Sequence, residues 1–137
     1  MNTDRFKFRV WDNEGKCYST ACFFIFGEGE LFVFIGGVFH KANKERYTVE
    51  QCTGLKDENG KLIFEGDKIG MTHFYFDGCG ESERNFIGYV MWNKGEFVLS
   101  KNQEKPEYEN ETEIIPHLSW GDSFEIIGNI HDGEKRT

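Results

Sequence analysis

Proline is scarce in this chain: 137 residues hold two, Pro106 and Pro116, against 16 glycines. Turns must therefore be built from glycine. Many short segments divided by glycine turns fit an all-β barrel or sandwich better than a helical bundle. Basic residues are also in the minority. Sixteen Lys and Arg against 24 Asp and Glu leave a net charge of −8. Nonspecific duplex binding draws its affinity from cations that neutralise phosphates, so this balance disfavours nucleic acid as a partner. Acidity alone signals solubility and leaves room for a basic partner or for DNA mimicry. The basic residues are interspersed with the acidic ones, which argues against a dedicated mimic.

Paired cysteine motifs are missing. Cys17, Cys22, Cys52 and Cys79 contain no Cys-x-x-Cys spacing, so the reading is free thiols, buried or half-buried, in a reducing cytosol rather than metal ligands. The spacing leaves disulfide pairing open. Long apolar runs are missing too. Residues 1–10 alternate charged and apolar side chains, unlike a signal peptide. The most hydrophobic stretch, 22–39, is broken by Gly27-Glu28-Gly29-Glu30. Neither half approaches the roughly 20 apolar residues of a membrane span. The expectation is a soluble cytoplasmic protein with no membrane partner.

Catalytic signatures are absent as well. His40, His73, His117 and His131 form no His-Glu-x-x-His, and they read as strand-edge or surface histidines. Ser82, Ser119 and Ser123 lie in no Gly-x-Ser-x-Gly context. Gly36-Gly37 and the Gly78/Gly80 stretch lack the lysine and following helix of a phosphate loop. No catalytic residue, metal ligand or cofactor is expected, and the chain reads as a non-enzyme.

What is abundant is phenylalanine. Fourteen Phe lift the aromatic share to 16% within a hydrophobic total of 38%, and large rings give a small β protein more burial per residue. Phe6, Phe8 and Val10 alternate with Lys7, Arg9 and Trp11, the period of a strand with one apolar face. Residues 17–26 read as a strand whose second half is apolar on both faces and should be covered on both. Leu31 to Ile35 and Val38-Phe39 form a hairpin across Gly36-Gly37. Further strands are expected from Tyr47 to Cys52, along 67–76, over 86–92 and 96–100, and around Phe124, Ile126 and Ile130. Asn93-Lys94-Gly95 joins two of these with glycine in the left-handed region. Residues 77–85 read as a flexible loop, and 101–113 as an exposed acidic loop. Residues 114–118 read as a short edge strand limited by Pro116. The chain is expected to form one domain over 1–137, with 132–137 as a frayed tail.

The run from Gln51 to Asp67 is the most specific. Asp57, Glu58, Asn59 and Gly60 separate Thr53 and Leu55 from Leu62, Ile63 and Phe64. Asn59-Gly60 supplies the two positive-φ positions of a type I′ hairpin turn. Glu65-Gly66-Asp67 is a second turn, with Gly66 in a conformation that other residues resist. On an extended segment Glu65 and Asp67 point to one side, within reach of a single cation or basic side chain. The competing reading is that they satisfy backbone donors in the turn. Of the tryptophans, Trp11 and Trp92 precede turns and are candidates for a barrel rim that binds peptide or bases, with core packing as the default for each; Trp120 is the third.

The string Thr-Gly-Leu-x-Asp-x-x-Gly-x-x-Ile-Phe-Glu-Gly-Asp resembles the YopX-like proteins of bacteriophages and prophages. Three further segments agree: Phe8-Arg9-Val10-Trp11-Asp12, Gly88-Tyr89-Val90-Met91-Trp92 and Glu125-Ile126-Ile127-Gly128-Asn129-Ile130-His131. The resemblance runs in order from near residue 5 to residue 132. It implies a mainly-β fold related to SH3-like barrels, with additional strands and long loops, and no catalytic residues. The motif residues Trp11, Asp12, Thr53, Gly54, Leu55, Asp57, Gly60, Ile63, Gly66 and Gly128 are read as structural. Residues 17–44 and 102–116 fall outside any matching pattern.

These readings imply a phage or prophage accessory protein of the bacterial cytoplasm, a non-enzymatic binding or assembly module. Its expected partner is a protein or a second copy of itself, since exposed phenylalanine needs covering. A nucleic-acid-linked replication or regulatory role would require a basic or aromatic face. An acidic inhibitor of a host DNA-binding protein would require Glu104, Glu107, Glu109, Glu111 and Glu113 to line one surface. An enzyme would require a deep pocket with His73 or His117 beside a carboxylate.

Overall fold

The structure is a computed structural model and describes residues 3–102 and 115–133. The glutamates 104–113, most of the acidic stretch and the tail from 134 lie outside the described residues. Asp132, read as the start of the frayed tail, is anchored: its Oδ2 accepts the backbone N–H of Asn129 at 2.8 Å.

The described fold is mainly β. Its strands are β1 (Phe8–Asp12), β2 (Cys17–Tyr18), β3 (Cys22–Ile25), β4 (Leu31–Ile35), β5 (Val38–Lys41), β6 (Tyr47–Lys56), β7 (Leu62–Phe64), β8 (Asp67–Phe76), β9 (Glu81–Asn93), β10 (Glu96–Ser100) and β11 (Ser123–Asn129). Short 3-10 turns cover Asp4–Phe6 and Leu118–Trp120. Three antiparallel sheets result, with strand orders β2-β1-β6-β7, β10-β9-β8-β11 and β3-β4-β5.

The main core lies on the inner face of the β10-β9-β8-β11 sheet. Period two puts Ile69 and Met71 of β8, Val90 of β9, Leu99 of β10 and Phe124 of β11 on one face. Ile63 from β7 and Leu118 close over them, with Leu55, Phe86, Phe97 and Ile126 at the margin. The sheet curls into a half-barrel around this cluster. Gly66 is its corner. The chain leaves the first sheet with β7 and enters the second with β8, and Gly66 sits between them at φ +86°. Its N–H donates to Val90 O at 2.9 Å and its carbonyl accepts from Ile130 N at 2.7 Å.

Turn chemistry redistributes the expected geometries. Asn59 has no positive φ; only Gly60 does, at +78°. The hairpin is closed instead by Asp57, whose Oδ1 accepts from Asn59 N and Lys61 N at 2.9 and 2.8 Å, an Asx turn that leaves Asn59 in ordinary backbone. Two positive-φ residues occur instead at Gly36-Gly37, at +60° and +80° between the paired Ile35 and Val38, and at Lys94-Gly95, at +50° and +86° between the paired Asn93 and Glu96.

Other expectations are corrected. Residues 17–26 break into β2 and β3, and β3 is not covered on both sides: Phe24 on one face and Ile25 on the other are 44% and 40% exposed. Residues 81–85 belong to β9 rather than to a loop, because β8 and β9 pair rung by rung out to Phe76 and Glu81. Residues 115–118 form no strand, only a bridge from His117 to Val98. The four cysteines are free, but Cys17, Cys22 and Cys79 are exposed and only Cys52 is buried. His131, read as an edge or surface residue, is buried. No described helix is long and apolar enough to cross a membrane.

Candidate functional site

Two regions stand out, a buried polar network and an exposed aromatic face. The network begins with register. β1 pairs β6 so that Arg9 lies opposite Glu50. Arg9 Nε donates to Glu50 Oε1 at 2.7 Å, and its Nη2 donates to Asp67 Oδ1 at 2.8 Å and to Glu65 O at 3.2 Å. Tyr18 OH donates to Glu50 Oε1 at 2.8 Å and His131 Nε2 to Glu50 Oε2 at 2.7 Å. Asn129 Nδ2 donates to Tyr18 OH at 2.8 Å and lies 3.3 Å from Asp67 Oδ1, while its Oδ1 accepts from His131 N at 2.8 Å. Trp11 stacks flat on the His131 ring, with centroids 3.9 Å apart and planes 3° from parallel, and Tyr18 meets it edge-on.

The electrostatics follow from burial and pairing. Desolvation works against the Arg9 charge, yet Asp67 and Glu50 outweigh it and hold its pKa above the ordinary value. Burial pushes the Tyr18 phenol upward, and its hydrogen bond to Glu50 adds to the shift. The set is a hydrogen-bonded cluster that joins the first sheet to the end of β11. Arg9 also lies over the rings of Tyr18 and Phe64 at 4.6 and 4.8 Å, which shield part of it from water. Gly66 packs into the same cluster. A Cβ there would stand 2.9 Å from Glu50 Oε2 and 3.0 Å from Ile130 Cγ2.

This geometry decides the sequence candidates. Trp11 has no exposed surface, so it is not at a rim. Its ring is held between His131 and Tyr18, and its Nε1 has no acceptor among the described residues. Asp67 is 3% exposed and leaves the candidate surface for the same reason. Glu65 and Asp67 do meet one basic side chain, Arg9, but Glu65 does so through its backbone carbonyl. Their remaining carboxylate oxygens accept turn and strand donors: Asp67 Oδ2 from Phe64 N at 2.9 Å, Glu65 Oε1 from Gln51 N at 2.9 Å. Trp92 is exposed at 47% and packs edge-on against Phe97. Asp12 caps its own turn, accepting from Glu14 N, Gly15 N and Arg46. Thr53 Oγ1 donates to Ile63 O at 2.8 Å, Gly54 packs on Arg5, and Gly128 sits at a register shift in β11.

Tyr18, Glu50, Asn129 and His131 were absent from the sequence candidates. A single arginine on an otherwise regular strand was the available signal, because a charge at that position demands a partner once its face is covered.

The family model described as YopX protein matches residues 7–136. The chain belongs to the YopX family. It is also similar to the crystal structure of protein EF1440 from Enterococcus faecalis, at 25% identity and a TM-score of 0.48, over 93% of this chain and 94% of that one. No curated protein matches. All four segments that resemble the YopX family meet at the network. The first brings Arg9 and Trp11, the second Gly66 and Asp67, and the last Asn129 and His131. The third brings Val90, whose carbonyl receives the Gly66 N–H. The family signature in this chain is thus the joint between its sheets.

The second region is the β3-β4-β5 sheet. Register puts Cys22, Phe24, Phe32, Phe34, Phe39 and Lys41 on one face, which Phe26 extends. The rings touch one another edge-on or tilted: Phe24–Phe39 at 5.3 Å, Phe26–Phe32 at 4.8 Å, Phe34–Phe39 at 4.9 Å. Phe24, Phe26, Phe34 and Phe39 remain 41–49% exposed. The opposite face is covered at its middle, while Ile25, Ile35 and Val38 on it remain 40%, 58% and 55% exposed. Leu31 and Val33 are buried there, and Phe23 meets Tyr47 at 5.1 Å.

Proposed function

We propose that this YopX-family chain is a non-enzymatic binding and assembly module whose phenylalanine face docks a second copy of the chain. The observation that carries the reading is the cluster of Phe24, Phe26, Phe32, Phe34 and Phe39, whose rings touch one another on one face of a sheet yet stay largely exposed. A contiguous apolar patch of this kind is characteristic of interaction sites. Local charge permits a second copy. A protein carrying −8 repels itself over most of its surface. On this face, by contrast, Lys41 Nζ lies 3.7 Å from Glu30 Oε2, so two copies would meet there through rings and a neutralised pair. The same proposal takes from the family resemblance that the chain is an accessory protein of a phage or prophage, acting in the cytoplasm of a bacterial host.

Light scattering across a concentration series tests this. The wild-type mass should climb from 16.0 kDa toward twice that value, and Phe34→Asp with Phe39→Asp should hold it at 16.0 kDa. A wild type that stays at one chain mass up to its solubility limit would overturn the reading and assign the face to a different partner.

A further inference from the structure

We infer that a cleft between β9 and the Leu118–Trp120 turn is a binding site for a small ligand that joins one aromatic ring to one anionic group. The cleft has a volume of about 290 Å³ and is lined by His73, Arg84, Phe86 and Trp120. It is independent of the phenylalanine face and arises from a mismatch in strand length. β11 pairs with β8 only as far as Thr72, whereas β8 and β9 continue together to Phe76 and Glu81. Met71 and Phe86 form the last rung over the core. His73 and Arg84 form the next rung on the same face, where no β11 residue covers them.

The wall opposite Arg84 is fixed. Gly121 crosses so close to Phe124 and Met71 that a Cβ would stand 2.5 and 2.7 Å from them, which holds the preceding Trp120 against the end of the core. Trp120 O accepts a hydrogen bond from His73 Nδ1 at 2.7 Å. His73 Nδ1 also lies 3.6 Å from Asp122 Oδ2, and its Nε2 has no partner among the described residues. His117 lies against the Trp120 ring at 4.7 Å and is held by Glu96 Oε2 at 2.6 Å from its Nδ1. Asp122 Oδ2 accepts from Phe74 N at 2.7 Å.

Arg84 differs from these neighbours. Among the described residues it has no hydrogen bond and no ion pair, and its cross-strand neighbour is a histidine rather than an acid. Glu83, next in sequence, projects to the opposite face of the strand. The nearby carboxylates of Glu96 and Asp122 already have donors. An uncompensated guanidinium beside Trp120 and Phe86 has the chemistry to hold an anion while a flat ring stacks on the indole. The volume matches the lower end of small-molecule sites. One permanent cation in a chain of charge −8 cannot neutralise a run of phosphates, so the site selects a single anionic group over a nucleic-acid strand.

The test follows the indole N–H resonances of the intact protein by NMR, with Trp92→Phe and Trp120→Phe supplying assignments. The probes are adenosine monophosphate and indole-3-acetate, with adenosine and acetate as half-ligands. At least one anionic aromatic should shift the Trp120 signal saturably, and the half-ligands should bind about tenfold more weakly or worse. Adenosine monophosphate alone titrating would assign a nucleotide, and indole-3-acetate alone an aromatic carboxylate. Arg84→Gln should weaken the binding about tenfold while leaving the Trp11 and Trp92 signals in place as a check on folding. A Trp120 signal unmoved by either probe at millimolar concentration, or a titration that Arg84→Gln leaves unchanged, would overturn the inference.

Discussion

Aromatic side chains are used in opposite ways around Trp11 and on the β3-β4-β5 sheet. Trp11 has no exposed surface, pressed between His131 and Tyr18 beside a network that pairs Arg9 with Glu50 and Asp67. The five phenylalanines of the outer sheet touch one another at 4.8–5.8 Å, yet four of them stay 41–49% exposed. Residue type does not explain the difference, since both places are aromatic strands. Layering does. The first sheet is closed by the β7–β8 corner and the end of β11, whereas the outer sheet is covered over only part of one face, at Leu31 and Val33. Buried charge and exposed apolar surface each cost stability when unpartnered. The first has its partners within this chain, and the second is the face proposed to dock a second copy.

The largest effect should come from removing Glu50. Glu50→Ala leaves Arg9, Tyr18 and His131 without their shared acceptor. Breaking one side of a buried pair costs about 3–5 kcal/mol, measured by urea unfolding. A loss below about 1 kcal/mol would mean that the network behaves as a solvated surface pair and the contrast fails.

Gly66→Ala should come next, at about 2–3 kcal/mol, combining a left-handed backbone with the overlap on Glu50 and Ile130. Gly60→Ala is its control, because Gly60 shares the positive φ but has no atom within 4 Å of the added Cβ. It should cost about 1 kcal/mol. Equal losses would show that backbone strain alone, and not the tight joint, sets the requirement for Gly66.

Acid provides a graded version of the same test. The hydrogen bond from Arg46, followed by the Gly15 N–H and the Glu14 N–H, holds the Asp12 carboxyl at about 2, below its ordinary 3.8. A depressed carboxyl contributes stability that is complete above the unfolded value. That contribution is lost as pH falls from about 3.8 through about 2. Asp12→Asn should flatten the stability profile in that window, measured by thermal unfolding at successive pH values. An unchanged acid slope would remove Asp12 from the account.

The smallest effect on folding should come from the outer sheet. Phe34→Ser with Phe39→Ser should change the unfolding free energy of the isolated chain by no more than about 0.5 kcal/mol per site. The same pair should abolish concentration-dependent mass. A fall of several kcal/mol would mean that these rings hold the fold and are not reserved for contact.

Much of the strand order was legible, because period two and glycine turns are local. The hairpins at Gly36-Gly37 and Lys94-Gly95 and the segments of family resemblance could be placed without coordinates. The joint was not. Arg9 meets Glu50 across the β1–β6 register and Asp67 across a change of sheet. Nothing near Arg9 in the chain announces either partner. The turn at Asn59 was misread because the Asp57 side chain, rather than a second left-handed residue, closes it.

The sequence by itself determined a mainly-β chain of the YopX family and the strand faces on which its aromatics gather. Only the tertiary structure decided which of those faces are covered. It placed Trp11 and His131 inside, left Phe24, Phe34 and Phe39 outside, and opened the cleft at Arg84 where β11 stops short of the β8–β9 hairpin. The reason is physical: periodicity fixes which side chains share a face, but burial depends on whether a second layer, distant in the chain, packs against it.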